Sequence, residues 1–216
     1  MILAIDTTSE FGSVALIDGD RVVEELPFDS PDGFGHVLYG HLEQLLARHG
    51  VSVGDVQCFA AASGPGSFTG VRVGLTAVKG LAEATGKPVV AVSNLRALAW
   101  FGSASLRATV LDARRGEVYA AVYNDRLEAV MPEAVLKYVV WRKTLPPHGF
   151  ELISPDFSSF QSQIDSSIPA VTAPRALAGA IGRMAWREFL GGQACDPAKI
   201  DANYVRRSDA ELLWKE

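Results

Sequence analysis

Apolar and polar positions alternate with period two in three short runs at the start of the chain: Ile2–Asp6, Ser13–Asp18 and Arg21–Leu26. Polar turns at Thr7–Gly12 and Asp18-Gly19-Asp20 separate them, which predicts a three-strand meander. After a loop rich in Pro, Asp and Gly, the period changes. Val37, Leu38, Leu42, Leu45 and Leu46 recur at helical spacing, so a helix is expected over 36–49, stopped by Gly50. A short buried strand, Gln57–Ala62, then runs into the glycine-rich Ser63–Gly70 and a small-residue helix over 71–85, closed by Gly86 and Pro88. Val89–Val92 reads as a strand and Asn94–Ala104 as a helix.

A second meander follows, over Ala108–Ala113, Gly116–Tyr123 and Arg126–Met131. It repeats the order of the first: apolar strand, Asp6 or Asp112, polar turn, Gly12 or Gly116, apolar strand, acidic turn, third strand. Such a repeat predicts two related lobes, expected at 1–104 and 105–216, built from a duplicated strand-meander-plus-helices unit, although two unrelated meanders would also look alike. Beyond Met131 the pattern weakens into short elements bounded by Pro146-Pro147, Pro169 and Pro174, until a helix is expected over 177–190. In the tail, Tyr204, Val205, Leu212, Leu213 and Trp214 are expected to pack on the body.

Composition narrows the function classes. Of 216 residues, 48% are hydrophobic and 21% charged, ordinary for a globular protein. A net charge of −5 repels a phosphate backbone, so unaided nucleic-acid binding is not expected. Cys58 and Cys195 form no CxxC and read as reduced thiols. No apolar run approaches the roughly 18 residues of a membrane span and no signal peptide is visible, which points to a cytoplasmic protein.

Two segments can carry chemistry. Asp6-Thr7-Thr8-Ser9 follows the first strand, where hydroxyls and turn amides can face a phosphate; the same residues also make ordinary hydrogen-bonded turns. Ser63–Gly74 places glycines, a proline and hydroxyls at a strand-to-helix junction suited either to an anion or to a tight loop capped by Ser67 or Thr69. It lacks both the lysine of a P-loop and the GxGxxG spacing. After it, Gly70, Gly74 and Ala77 leave one side of the helix free of bulk. With the leucine face of the preceding helix, that side could meet a second subunit or this chain's own sheet. His36 and His41 are five apart, about 140° around a helix at roughly 100° per residue, so they are poor joint metal ligands. Asp112-Ala113-Arg114-Arg115-Gly116-Glu117 reads as a solvated hairpin or as a hold on an acidic partner.

Four stretches in order, Met1–Ser9, Ser63–Gly74, Asp112–Tyr123 and Tyr204–Glu211, resemble the TsaB family. The resemblance implies an α/β protein of the actin-like ATPase (ribonuclease H-like) fold, related to TsaD. TsaD transfers the threonylcarbamoyl group to the tRNA adenosine beside the anticodon in tRNAs reading codons that begin with A, using a metal held by an HxxxH pair. Here four residues separate His36 from His41, a departure from that pair. The implied role is a non-catalytic partner and activator of TsaD, with TsaE joining, self-association when alone, tRNA contact only through the complex, and ATP or ADP only there. Asp6, Thr7 and Thr8 would be a degenerate phosphate loop. Gly64, Pro65, Gly66, Ser67, Phe68, Thr69, Gly70 and Arg72 would be the signature loop, and Val37, Leu38, Leu42, Leu45, Gly70, Gly74 and Ala77 the partner face, with no catalytic or metal residue. The competing reading is a stand-alone ATP-dependent enzyme or metallopeptidase of the actin-like group.

Overall fold

The computed structural model describes residues 1–29 and 33–206. Among the described residues the chain divides into two units, 1–97 with 175–202 and 98–174 with 203–206. The stretch 175–202, expected in the second lobe, therefore folds with the first, because its helix has an apolar face that the first sheet covers.

In the first unit the meander is β1 (Ile2–Asp6), β2 (Phe11–Asp18) and β3 (Arg21–Asp29). Helix α1 (Leu38–Arg48) follows, then β4 (Cys58–Gly64), α2 (Phe68–Thr85), β5 (Val89–Ser93) and a short α3 (Asn94–Ala99). The sheet order is β3-β2-β1-β4-β5, antiparallel within the meander and parallel from β1 through β4 to β5. Every residue of β1 and β4 is buried, as central strands covered on both faces require.

One face, carrying Leu3, Ile5, Val14 and Leu16, packs with Leu38, Leu42 and Leu45 of α1 and Val71, Leu75 and Val78 of α2. The other receives α5 (Ala178–Leu190), and the approach is close: a Cβ on Gly182 would stand 2.4 Å from Ile17 and 3.1 Å from Ala4. The start of α5 is capped by the sheet itself. The Leu177 and Ala178 amides donate to Ser13 Oγ at 3.2 and 3.0 Å, and the Gly179 amide donates to Glu25 at 2.9 Å.

In the second unit β6 (Leu106–Asp112), β7 (Val118–Asn124) and β8 (Ala129–Leu136) form the second meander, followed by α4 (Tyr138–Arg142), β9 (Glu151–Ser154) and β10 (Ala170–Thr172). The order, β8-β7-β6-β9-β10, repeats that of the first sheet, and β9 and β10 again run parallel to β6. The expected duplication is thus present in the strand connectivity. The helices differ: α4 is a single turn, and the link from β9 to β10, where the first unit has α2, holds only a 3-10 turn at Gln161–Gln163. Aromatic bulk fills the space instead, with Tyr138, Trp141, Phe150 and Phe160 around Val110, Ala120 and Leu152.

Helix α3 stops at Ala99 rather than Ala104, and the chain leaves it in a turn where the Phe101 and Gly102 amides donate to the Leu98 and Ala99 carbonyls at 3.1 and 3.3 Å. Helix α2 begins at Phe68, three residues earlier than expected, on the Ser67 cap. Tyr204 is 44% exposed and Val205 half-buried, so neither is a core residue, while Leu212, Leu213 and Trp214 lie outside the described residues.

Candidate functional site: the glycine loop and the α1–α2 groove

The carboxyl end of β1 and the loop before α2 are built as one piece. The Thr8 amide and hydroxyl donate to Asp6 Oδ1 at 2.9 and 2.6 Å, Asn94 Nδ2 donates to Thr8 Oγ1 at 2.7 Å, and the Gly64 amide donates to Asn94 Oδ1 at 3.0 Å. Thr7 Oγ1 donates to the Gly70 carbonyl at 2.7 Å, and the Ser67 amide donates to the Thr8 carbonyl at 2.6 Å. Ser67 Oγ then caps α2 by accepting from the Gly70 amide at 3.3 Å. Asp6, Thr7 and Thr8 are each at most 4% exposed. Burial pushes the Asp6 carboxyl above the ordinary carboxylate range; the Thr8 and Asn94 hydrogen bonds oppose this and Glu25 adds to it.

The glycines permit this closeness. A Cβ on Gly66 would lie 2.3 Å from the Thr8 carbonyl oxygen, and one on Gly70 1.9 Å from that of Thr7. The hydroxyls proposed to face a phosphate are engaged within this network, that of Thr7 with the Gly70 carbonyl and that of Thr8 with Asp6 and Asn94. The loop acts as a clamp that fixes where α2 starts.

The residues expected on a partner face lie in different surroundings. Leu42 and Leu45 are 4% and 0% exposed in this unit's own core, while Gly70 and Gly74 lie against Thr7. On the small-residue side of α2 the end of β1 and the Thr7 turn approach Gly70 and Gly74. Leu38 and Ala77 do border a surface, and Val37 is half-buried against the same core.

That surface is a groove of about 420 Å³ between α1 and α2, walled by Leu38 and Tyr39 on one side and Phe68, Arg72, Val73 and Thr76 on the other. Tyr39 and Phe68 are 56% and 43% exposed, and the Arg72 guanidinium lies 3.8 Å above the Phe68 ring. Large apolar side chains exposed together mark an interaction surface more often than a lone one does. Sequence reasoning missed Tyr39 and Asn94. Tyr39 is visible as an aromatic residue just off the leucine face, whereas Asn94 has no signal beyond its position after a strand.

His36 ends a 3-10 turn and His41 sits on α1 with its ring stacked on Phe28 at 4.2 Å, so the two rings occupy different environments. Among the described residues no group of three or more His, Cys, Asp or Glu stands ready to hold a metal ion. Cys58 and Cys195 are free thiols, and burial pushes Cys58 up to about 12. No helix of the described residues is long and apolar enough to cross a membrane.

Two meander-first sheets of identical order define an actin-like α/β protein, and solved structures agree. The activator of 2-hydroxyisocaproyl-CoA dehydratase from Clostridium difficile shares this fold at a TM-score of 0.55 and 8% identity, over 89% of this chain and 96% of that one. YeaZ from Pseudomonas aeruginosa superposes at a TM-score of 0.80 with 27% identity, covering 94% and 98% of the two chains. A family model described as TsaD, tRNA N6-adenosine threonylcarbamoyltransferase, matches residues 34–160. The tRNA threonylcarbamoyladenosine biosynthesis protein TsaB of Bacillus subtilis (strain 168) is 30% identical over 100% of this chain and 98% of its own length. Its namesake from Haemophilus influenzae is 31% identical over 100% and 96%. The chain belongs to the TsaB family.

Proposed function

We propose that this chain is a non-catalytic subunit in threonylcarbamoyladenosine formation, docking a TsaD protein on the α1–α2 groove and activating it. The observation that carries the reading is the groove itself, with Tyr39 and Phe68 exposed beside Arg72 on two adjacent helices, the second anchored at its start by the Ser67 cap. Two further facts support it: the relatives are named for this biosynthesis, and the model matched over residues 34–160 is that of the transferase, which uses the same fold. Helix pairs meet helix pairs well across such surfaces, so the α1–α2 pair of a related chain, or of a second copy, is a fitting occupant. TsaE joins the assembled pair, any ATP or ADP belongs to the complex, and a net charge of −5 leaves most tRNA contact to TsaD. The competing enzyme reading rests on the Asp6 turn, whose Thr7 and Thr8 hydroxyls are internally engaged.

The test is complex formation with the TsaD of the same organism, measured by size-exclusion chromatography with light scattering. Thr76→Arg and Phe68→Asp, both at exposed positions, are expected to abolish a one-to-one complex and the stimulation of modification while leaving the fold intact. Full stimulation by both variants would overturn the assignment. Turnover of ATP or peptide by the isolated chain, lost in Asp6→Ala, would favour the enzyme.

A further inference from the structure

Helix α2 turns one side to the β1–β2 turn and another to the groove. A Cβ on Gly70 would stand 1.9 Å from the Thr7 carbonyl oxygen and one on Gly74 2.7 Å from Thr7 Oγ1, so Thr7 lies behind the start of the helix. Phe68 and Arg72 each stand two residues from Gly70, roughly 160° around a helix of about 100° per residue, and they wall the groove on the far side. The turn and the groove therefore meet opposite faces of one helical start.

The loop that leads into α2 is tied to the turn at both ends. Asn94 accepts from the Gly64 amide at 3.0 Å and donates to Thr8 Oγ1 at 2.7 Å. The Ser67 amide, one residue before Phe68, donates to the Thr8 carbonyl at 2.6 Å, and Thr7 Oγ1 donates to the Gly70 carbonyl at 2.7 Å. Between these ties there is no slack at Gly66, where a Cβ would stand 2.3 Å from the Thr8 carbonyl oxygen. Thr7 and Asn94 are 1% and 2% exposed, so a partner seated in the groove does not touch either.

We propose that Thr7 and Asn94 are positioning residues for partner docking: from behind α2 they hold Phe68 and the groove wall where a partner needs them. The inference rests on the reading of the groove as the docking face. Binding surfaces depend on supporting residues whose own hydrogen bonds fix the contacting side chains, and close-packed interiors transmit a displacement rather than absorb it. Loss of the Thr7 hydrogen bond frees the first turn of α2 to shift against β1, which moves Phe68 although no groove residue has changed.

Calorimetric titration of the TsaD of the same organism with variants of the full chain, at a temperature where each is folded, tests this. Thr7→Val keeps the side-chain shape and removes the donor, and affinity is expected to fall about five- to tenfold, the worth of one neutral hydrogen bond. Thr7→Ser restores the donor and is expected to stay within about twofold of wild type. Asn94→Ala, which cuts the tie at Gly64, is the second variant and is expected to weaken binding at least as much as Thr7→Val. Ile17→Val loosens the opposite face of the sheet, beneath Gly182, and is expected to lower the unfolding temperature while binding as wild type does. Wild-type affinity in both Thr7→Val and Asn94→Ala, with Phe68→Asp unable to bind, would overturn the positioning role and leave the groove reading standing. An equal loss of affinity in Ile17→Val would also overturn it, by reducing the effect to general destabilisation. Tight binding by Phe68→Asp would remove the groove reading itself, and the positioning role with it.

Discussion

The β1–β2 and β6–β7 turns start from the same device and end as different surfaces. Each opens with an aspartate at the end of the first strand of a meander, and each aspartate accepts from the amide two residues on, Thr8 at 2.9 Å and Arg114 at 2.7 Å. In the first unit a glycine loop then packs on the turn and buries Asp6 to 2% exposure; in the second no helix follows β9 and Asp112 stays exposed. The difference teaches that the turn motif does not decide its own role. The segment that follows the fourth strand of each sheet decides it, by covering the turn or leaving it open.

The strongest way to break the contrast is to unseat the clamp. Gly70→Ala places a methyl 1.9 Å from the Thr7 carbonyl oxygen, a backbone atom with little room to move. Overpacking of this kind costs about 3 kcal/mol, the upper end of its usual range, readable as a lower denaturation midpoint; an unchanged midpoint would show that the loop is not held against the turn. Asp6→Ala comes next. Leaving the Thr8 amide and hydroxyl donors without their acceptor costs about 1–3 kcal/mol.

Asp6→Asn keeps an acceptor and sharpens the comparison through pH. The unfolded carboxylate loses its proton near about 3.9, the buried folded one at higher pH. Between these values the native state holds the extra proton, so Asp6 makes wild-type stability fall as pH rises through that window and adds no slope above it. The wild-type-minus-variant difference in unfolding free energy, followed from pH 3 upward, should show this falling component; a rising one would contradict a raised carboxyl.

The smallest effect belongs to the second turn. A left-handed L-residue costs about 1–2 kcal/mol, and glycine gives back roughly 0.5–1 kcal/mol in chain entropy, so Arg115→Gly, at φ 56°, should stabilise by about 0–1.5 kcal/mol. Thermal denaturation checks the sign, and a clear loss of stability would mean that the Arg115 side chain holds the turn together.

Much of this was legible in the residues. Period-two runs around Asp6 and Asp112 revealed both meanders and their duplication, and the glycine-rich junction at Ser63–Gly70 was visible as a special loop. What sequence could not supply was the direction of packing. A strip of Gly70, Gly74 and Ala77 reads the same whether a second chain or the Thr7 turn approaches it, and only the fold places β1 there. Leu42 and Leu45 likewise look like any apolar helical face, and the sheet under them is built from strands distant in sequence. The helix at 178–190 was legible as a helix but not as part of the first unit, since its docking depends on Ser13, Glu25 and the space left by Gly182.

The most direct test of the central claim is calorimetric titration of the TsaD of the same organism with wild-type chain and with Phe68→Asp. The account predicts measurable wild-type affinity and its loss in the variant, with circular dichroism and melting unchanged; equal affinity of the two chains would place the partner surface elsewhere.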